Sequence, residues 1–172
     1  VNAGSREIYQ LVQSFNRMLA DLSTSETRLK NHSRYIEVVL SNISAGVISV
    51  DQAGQITTIN KYASSLLGID APEFLGKHYE TVLPEEYRFV LEDLISKLFK
   101  HKARSIQKEL QVTVRGEKLV LQATLSPLKE ESGKDLGFVL VFDDLTKLIN
   151  AQRASAWREV ARRIAHEIKN PL

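Results

Sequence analysis

The sequence predicts an α+β fold in which five short strands and several short helices lie between two long helices. Three observations predict it. The first forty residues, and those from Leu145 onward, carry apolar residues at helical spacing. Five short runs between them are β-rich, either alternating between apolar and polar residues or continuously apolar. Turn residues separate these runs, and helical segments stand between the second run and the third.

The N-terminal helix is predicted from an apolar stripe with alternating three- and four-residue spacing, the a/d pattern of a coiled coil. The stripe consists of Ile8, Leu11, Phe15, Met18, Leu22, Leu29, Ile36 and Val39, with Ser25 and His32 at the two remaining seam positions. No proline occurs before Pro72, so the helix can continue to Leu40. A helix packed on its own domain shows the same periodicity, and that alternative stays open.

The first two strands are predicted as a hairpin. Gly46–Val50 and Gln55–Ile59 are rich in β-branched residues and lie on either side of the turn Asp51–Gly54. Asn60 is placed to cap the helix that follows, and Gly68 is placed to end it.

Two further helix starts follow. Asp70 before Pro72, with Glu73 three residues on, predicts a helix with an acidic N-cap and a capping box. Pro84 opens a longer helix. Its predicted core stripe is Val90, Leu91, Leu94, Ile95, Leu98 and Phe99.

The last three strands are predicted from alternation and from one continuous apolar run. Apolar residues occupy even positions from Ile106 to Val114, and odd positions from Leu119 to Leu125, on either side of the turn Arg115–Glu117. The run from Leu136 to Asp144, "LGFVLVFDD", predicts the central and most buried strand.

Composition excludes several classes of protein. Hydrophobic residues make up 43% of the chain, which is enough for a core, and the net charge of +2 gives no argument for nucleic-acid binding. The absence of cysteine excludes disulfides and thiolate chemistry. No run is long enough to span a bilayer and no signal peptide is visible. Because the chain begins at Val1 rather than at methionine, we expect it to be part of a longer protein.

Two motifs resemble those of PAS domains. The segment Asp51–Gly68, "DQAGQITTINKYASSLLG", is similar to the PAS opening, and Asp144–Thr146, "DLT", resembles the element where the last PAS strand enters its output helix. The resemblance implies a PAS domain over residues 41–145 with a five-stranded antiparallel sheet. It also implies a signalling helix over residues 146–156, with Asp144 and Thr146 transferring the signal.

The N-terminal helix resembles the second helix of a HAMP domain. The segment Leu11–Leu22 contains Phe15-Asn16-Arg17-Met18, similar to the HAMP signature, and Glu7 stands where such helices begin with an acidic residue. Tyr9 replaces the usual glycine, so this start is atypical. The resemblance implies HAMP over residues 1–22, a coiled-coil linker over residues 23–40, and membrane spans upstream of residue 1 with this portion in the cytoplasm.

The C-terminal helix carries a histidine on a polar face. On a helical wheel, Glu159, Arg162, His166 and Asn170 share one face, and the opposite face is apolar. The apolar face consists of Trp157, Val160, Ala161, Ile164, Ile168 and Leu172. A lone helical histidine is most often only solvated. A zinc site would need a second histidine where Asn170 stands, so no metal site is predicted.

The pattern His-Glu-x-x-Asn suits phosphoryl transfer. Neutral imidazole is a nucleophile at physiological pH, and a carboxylate at Glu167 can hold one ring nitrogen while the other attacks a phosphate. Asn170 can orient a water without taking its proton. Pro171 has no N–H to donate to the carbonyl of Glu167, so the helix is expected to bend there.

The segment Ala156–Leu172 resembles the H-box of HisKA-type sensor histidine kinases, close to the nitrogen-regulation kinases of the NtrY type. The resemblance implies that His166 is the phospho-acceptor, that Glu167 is the acid assisting autophosphorylation, and that Asn170 positions water for phosphatase action. Residues 157–172 would begin the dimerisation helix of a homodimer whose partner is a response-regulator receiver domain. ATP and magnesium would bind elsewhere in the longer protein, so this portion alone would be inactive.

The interior of the predicted PAS domain leaves its ligand unknown. His78 or His101 could serve as an axial haem ligand, and Arg88, Arg104 or Lys108 could meet a small carboxylate. An empty domain that dimerises and relays motion is the other option. The alternative for the whole chain is a non-enzymatic PAS dimerisation or interaction module, with or without a small ligand.

Overall fold

The computed structural model describes residues 3–170, with side chains from Gln10 onward. The chain divides after Asn42 into two compact units. The first is one helix, α1 (Ala3–Asn42), and the second begins at Ile43 and holds the sheet, the shorter helices and the C-terminal helix. Between residues 3 and 170, none of the helices is both long enough and apolar enough to cross a membrane.

The predicted N-terminal helix is present as α1, which continues for 40 residues and ends two positions past Leu40. Within α1, the hydroxyls of Thr24 and Thr27 each donate to a carbonyl four residues earlier at 2.9 Å. The large stripe residues from Leu11 to Val39 are exposed. The side chain of Ile8 lies outside the described residues, and the coiled-coil partner stays a prediction.

The five strands form one antiparallel sheet in the order β2-β1-β5-β4-β3, which confirms the predicted architecture. They are β1 (Gly46–Asp51), β2 (Ile56–Ile59), β3 (Ile106–Val114), β4 (Glu117–Lys129) and β5 (Asp135–Asp144). The β1–β2 turn forms because the Asp51 carboxylate accepts the N–H groups of Ala53 and Gln55, each at 2.9 Å. Gly54 takes the positive φ of 79° that this turn requires.

Four short helices connect β2 to β3, namely α2 (Lys61–Leu67), α3 (Ala71–Phe74), α4 (Tyr79–Val82) and α5 (Glu85–Lys100). Asn60 caps α2 and Gly68 ends it at φ 65°, both as predicted. The capping box predicted at Asp70 is wrong, because its side chain makes no cap hydrogen bond. Pro72 has no N–H to offer, and the N–H of Glu73 donates instead to the Asp70 backbone carbonyl at 3.0 Å.

The core lies between one face of the sheet and these helices. Leu91, Leu94 and Leu98 of α5 are buried against Val50 and Leu125. Buried Ala63 of α2 packs in a second cluster with Leu121, Ala123 and Phe142. Phe99 was wrongly predicted in the core stripe, since it is 54% exposed. It follows Leu98 by about 100° around the helix and therefore points away from the sheet.

The prediction for β5 is half right. β5 is the central strand of the sheet, but it is not the most buried one, because β4 buries more residues, namely Leu121, Ala123 and Leu125. In β5 only Phe138 and Phe142 are buried, and the alternate residues on the other sheet face are half-buried. The continuous apolar run therefore does not correspond to burial on both faces.

Candidate functional site

A cavity of about 660 Å³ lies between the sheet and the helices. The sheet contributes Ile48, Val50 and Phe138 to its lining, and α5 contributes Val90 and Leu94. Most of its walls are aliphatic or aromatic. The volume of this cavity and its mostly apolar lining are typical of sites that hold small molecules.

Polar residues of the lining come from three elements, α4, α5 and β3. Glu86 and Tyr87 stand at the start of α5, and Glu109, Gln111 and Thr113 stand on β3, the edge strand of the sheet. The Tyr87 hydroxyl accepts a hydrogen bond from the Thr113 backbone N–H at 3.2 Å. The start of α5 is thereby tied to the sheet edge.

Tyr79 places a phenol in the lining. Its ring meets Phe138 edge-on with centroids 6.1 Å apart, and it stacks on His78 at 4.9 Å. Burial, and then the carboxylates of Glu80 and Glu92, raise the pKa of Tyr79 above 10.0. Tyr79 is therefore a neutral hydrogen-bonding group at physiological pH.

Neither histidine considered as a haem ligand lines the cavity. The ring of His78 lies against Gly54 and caps α4, because its Nδ1 accepts the N–H of Glu80 at 3.3 Å. His101 is exposed at the C-terminal end of α5. Neither ring is placed to reach an iron atom in the cavity.

The three cationic side chains considered for a carboxylate ligand also lie outside the lining. The Arg88 guanidinium lies 4.0 Å from the Glu85 carboxylate and 3.9 Å from the Glu92 carboxylate, both on its own helix. Lys108 of β3 lies 3.8 Å from Asp93 of α5. Arg104 is exposed in the loop before β3. None of the three is therefore placed to meet a carboxylate in this cavity, and the ligand stays unknown.

Hydrogen bonds join the last strand to the C-terminal helix, α6 (Thr146–Lys169). The Asp144 carboxylate accepts the Thr146 N–H at 2.9 Å, and the Thr146 hydroxyl accepts the Val120 N–H at 2.9 Å. The Leu145 N–H donates to the Val120 carbonyl at 2.8 Å. The start of α6 is thus bonded to both β4 and β5. A role for Asp144 and Thr146 in signal transfer stays a prediction.

His166 lies on an exposed part of α6, where every residue from Ala151 to Lys169 is exposed. The apolar face of α6 is equally exposed, with Trp157 at 73% and Ile168 at 73%. The helix thus presents a polar face with His166 and an apolar face that no described residue covers.

Asn170 lies at the C-cap of α6, outside the helix proper, with φ −115° and ψ 67°. Its N–H donates to the His166 carbonyl at 3.2 Å, so the two residues stay one turn apart. Glu167 is exposed beside the histidine. The bend expected at Pro171, and the stripe position Leu172, lie outside the described residues.

Tyr79 and Tyr87 were not singled out from the sequence. A tyrosine near the start of a helix carries no local signal of a cavity, because the partner residues Phe138 and Thr113 lie far along the chain. Only the assembled sheet brings these groups together.

The fold, together with the junction between β5 and α6, defines the class of protein. Residues 34–145 match the family described as the PAS fold, and the chain belongs to that family. The PAS domain of Bordetella pertussis BvgS has the same fold, with a TM-score of 0.54 at 18% identity, covering 80% of this chain and 98% of that one.

Two curated relatives are similar to nearly the whole chain. The nitrogen regulation protein NtrY of Azorhizobium caulinodans is 36% identical over 173 residues, covering 96% of this chain and 22% of the relative. The signal transduction histidine-protein kinase AtoS of Escherichia coli is 28% identical over 175 residues, covering 96% of this chain and 27% of the relative. The predicted resemblance to NtrY-type sensor kinases is confirmed, and the chain spans about a quarter of the length of these relatives.

Proposed function

We propose that this chain is the sensory and transmission part of an NtrY-type sensor histidine kinase in which His166 accepts a phosphoryl group from ATP. The observation that carries the proposal is the exposed face of His166 on a helix that is hydrogen-bonded directly to the PAS sheet. Similarity over 96% of the chain to NtrY, and to the histidine-protein kinase AtoS, supports it.

The chemistry proposed for α6 assigns one step to each polar residue. A ring nitrogen of His166 attacks the γ-phosphorus of ATP, a P–N bond forms, and ADP leaves. The Glu167 carboxylate holds the other ring nitrogen and stabilises the imidazolium that develops. Asn170, one turn away, orients the water that hydrolyses the acyl phosphate on the receiver domain of a response regulator.

The remaining parts of the machinery are proposed to lie in the longer protein. ATP and magnesium bind a catalytic domain there, and the spans upstream of residue 1 anchor the protein in a bacterial inner membrane. Residues 1–22 act as the second helix of a HAMP domain, residues 23–40 as a linker, and residues 157–172 as the start of the dimerisation helix. Nitrogen regulation is the process that the similarity to NtrY favours.

The test is to incubate the longer protein with labelled ATP and to ask whether acid-labile, base-stable phosphate accumulates. We expect His166→Gln to abolish labelling, because glutamine has no nucleophilic nitrogen. His101→Gln is the matched control, since His101 is also an exposed histidine, and it should leave labelling unchanged.

Labelling that persists in His166→Gln would contradict the proposal. An absence of labelling in the unchanged protein, with magnesium present and the receiver domain left out, would favour the alternative of a non-enzymatic PAS interaction module.

A further inference from the structure

The helix face that carries His166 is basic. Arg158, Arg162 and His166 follow one another at intervals of four residues in α6, so their side chains form one row along its surface. All three are exposed, and the Cβ atoms of neighbours in such a row are about 5–6 Å apart. Because Cα–Cβ bonds on a helix tilt toward its N-terminus, the His166 ring stands over the turn that carries Arg162. Imidazole and guanidinium therefore face the same approaching group.

The stability of α6 does not account for Arg162. Like charges four residues apart destabilise a helix, and Arg158 and Arg162 are such a pair. The dipole at the C-terminal end of α6 attracts cations in the last turn, whose basic residues are His166 and Lys169. Arg162 lies before that turn and gains little from the dipole. Its charge therefore weakens the helix rather than stabilising it.

No neighbour neutralises Arg162 in the part of the chain that the structure describes. It takes part in none of the ion pairs or side-chain hydrogen bonds found there. The Arg158 guanidinium, by contrast, donates to the carbonyl four residues earlier at 3.3 Å. Both arginines line a shallow polar groove on α6 with Ser155 and Glu159. The Arg162 guanidinium is thus available to an anion that reaches His166.

The adjacent arginine has a different charge environment. Arg163 has Glu159 four residues before it and Glu167 four residues after it, so acidic residues flank it along the helix. At the same two positions Arg162 has Arg158 and His166. Of the two arginines nearest the histidine, Arg162 is therefore the one that lacks acidic neighbours along its own row.

We propose that Arg162 is a catalytic residue of the phosphoryl transfer, whose guanidinium donates two hydrogen bonds to non-bridging oxygens of the group transferred from ATP to His166. A planar guanidinium matches two such oxygens, and its charge offsets theirs. The lone pair of a His166 ring nitrogen forms the P–N bond while the bond from phosphorus to the β–γ bridging oxygen breaks. ADP leaves with that electron pair, and Arg162 keeps its protons throughout.

The inference rests on the proposed histidine kinase function and adds a residue to it. The two fail separately, because labelling of the unchanged protein tests the function, whereas comparison between variants tests Arg162. Phosphoramidate, a small phosphoryl donor to histidine, provides a test of Arg162 that needs no ATP. That test decides the matter even if ATP labels nothing.

The first measurement is the rate at which the longer protein labels itself at saturating ATP. Arg162→Gln removes the charge but keeps a good helix former, and the rate should fall about thirtyfold or more. The KM for ATP should change little, because ATP is bound by a separate domain. Arg162→Lys keeps the charge and should recover part of the loss. Arg153→Gln, on the far side of α6 from His166, is the matched control and should leave the rate unchanged.

The second measurement uses phosphoramidate and the 172-residue chain. Phosphorus NMR, with peptide mass spectrometry to assign the sites, follows phosphohistidine at each of the four histidines. At low ionic strength, Arg162→Gln should slow phosphorylation of His166 about fivefold, because the approaching anion loses its cationic partner. His32 on α1 is the internal reference and should react as before. Added salt should shrink the difference, since it screens attraction between ions.

A purely structural role makes a different prediction for stability. Arg162→Gln removes the like-charge contact with Arg158, so the melting temperature of the chain should stay the same or rise slightly. A lower melting temperature accompanying slower transfer would assign the effect to folding and overturn the inference. Unchanged transfer rates in Arg162→Gln would overturn it as well, and so would an Arg162→Lys variant no faster than Arg162→Gln.

Discussion

At the scale of single residues, Asn60 shows how a helix is fixed to the sheet. It is 4% exposed, and its side chain forms hydrogen bonds with the backbone groups of Ala45, Val47 and Ala63. The carboxamide oxygen accepts the N–H groups of Ala63 at 2.9 Å and Val47 at 3.0 Å, and the amide nitrogen donates to the Ala45 carbonyl at 2.9 Å. One side chain therefore caps α2 and holds the start of β1.

Replacing this side chain should destabilise the fold. Asn60→Ala leaves two N–H groups and one carbonyl without these partners, and we expect a loss of about 2–3 kcal/mol in the free energy of unfolding. Urea denaturation followed by circular dichroism measures it. Asn150→Ala on the exposed surface of α6 is the control and should change stability by less than about 0.5 kcal/mol. A loss as small as the control's would mean that water replaces the three contacts.

Asn170 allows the two proposed activities of the H-box to be separated. In the longer protein, Asn170→Ala should leave autophosphorylation largely intact, because Asn170 does not hold the attacking nitrogen in the proposed scheme. It should slow dephosphorylation of the receiver domain about a hundredfold, since a positioning hydrogen bond contributes about 2–3 kcal/mol at the transition state. Decay of the purified phosphorylated receiver, followed with each variant present, measures the effect. Equal decay would mean that Asn170 only shapes the helix end.

At the scale of elements, the junction between β5 and α6 connects the sheet to the helix that carries His166. Asp144, Leu145 and Thr146 make three hydrogen bonds that end one element and begin the next. Because Val120 of β4 takes part in two of these bonds, the base of α6 is held by two neighbouring strands.

The junction should be required for coupling and not for folding. In the longer protein, Asp144→Ala is expected to make kinase output independent of the stimulus, because the Thr146 N–H loses its partner and the start of α6 loosens. Phosphorylation with and without stimulus measures coupling, and a thermal melt of the chain checks the fold. Asp143→Ala, an exposed neighbour, is the control. Regulation that survives Asp144→Ala unaltered would show that coupling runs through another contact.

The elements that the sequence predicted well are those with local causes. Three such features are the cap at Asn60, the αL glycine at Gly68 and the Asp51–Gly54 turn. Each depends on residues a few positions apart, so it can be predicted from the sequence alone. The failures have long-range or competing causes. The Asp70 side chain does not cap α3, because Pro72 has no N–H and the N–H of Glu73 donates to the Asp70 backbone carbonyl instead. β5 is not the most buried strand, because the helices cover only one face of the sheet.

At the scale of the whole molecule, exposed apolar stripes on α1 and α6 predict a homodimer. Light scattering at concentrations well above micromolar should give twice the chain mass of 19.4 kDa. Leu22→Glu places a charge on the seam and should raise the dissociation constant about tenfold or more, because the charge would be buried without a partner. Thr24→Glu adds the same charge off the seam and is the control. A monomer for the unchanged chain would contradict the prediction.

The parallel orientation has its own test. The chain has no cysteine, so Ser25→Cys introduces a single thiol at a seam position. In a parallel coiled coil this residue faces its own copy, and mild oxidation should yield a covalent dimer on a non-reducing gel. Thr24→Cys should cross-link much less. Equal cross-linking of the two variants would argue against the predicted seam.

The cavity illustrates what the sequence could not supply. Its lining combines residues from Ile48 to Phe142, and its size depends on how far α5 stands from the sheet. His78 looked like a ligand candidate because histidine binds iron, yet its ring is used to cap α4. The histidine face of α6, by contrast, depends only on helical periodicity, and the predicted helix is present.

The length of α6 makes it a lever arm. Its first residue, Thr146, is held at the sheet, and His166 lies about 30 Å further along the axis at 1.5 Å per residue. If the helix is stiff, a tilt of about 5° at the base carries His166 sideways by about 2.6 Å, close to the length of a hydrogen bond. An angular change too small to disturb the packing of the sheet would therefore be enough to move the imidazole into or out of line with a phosphorus atom.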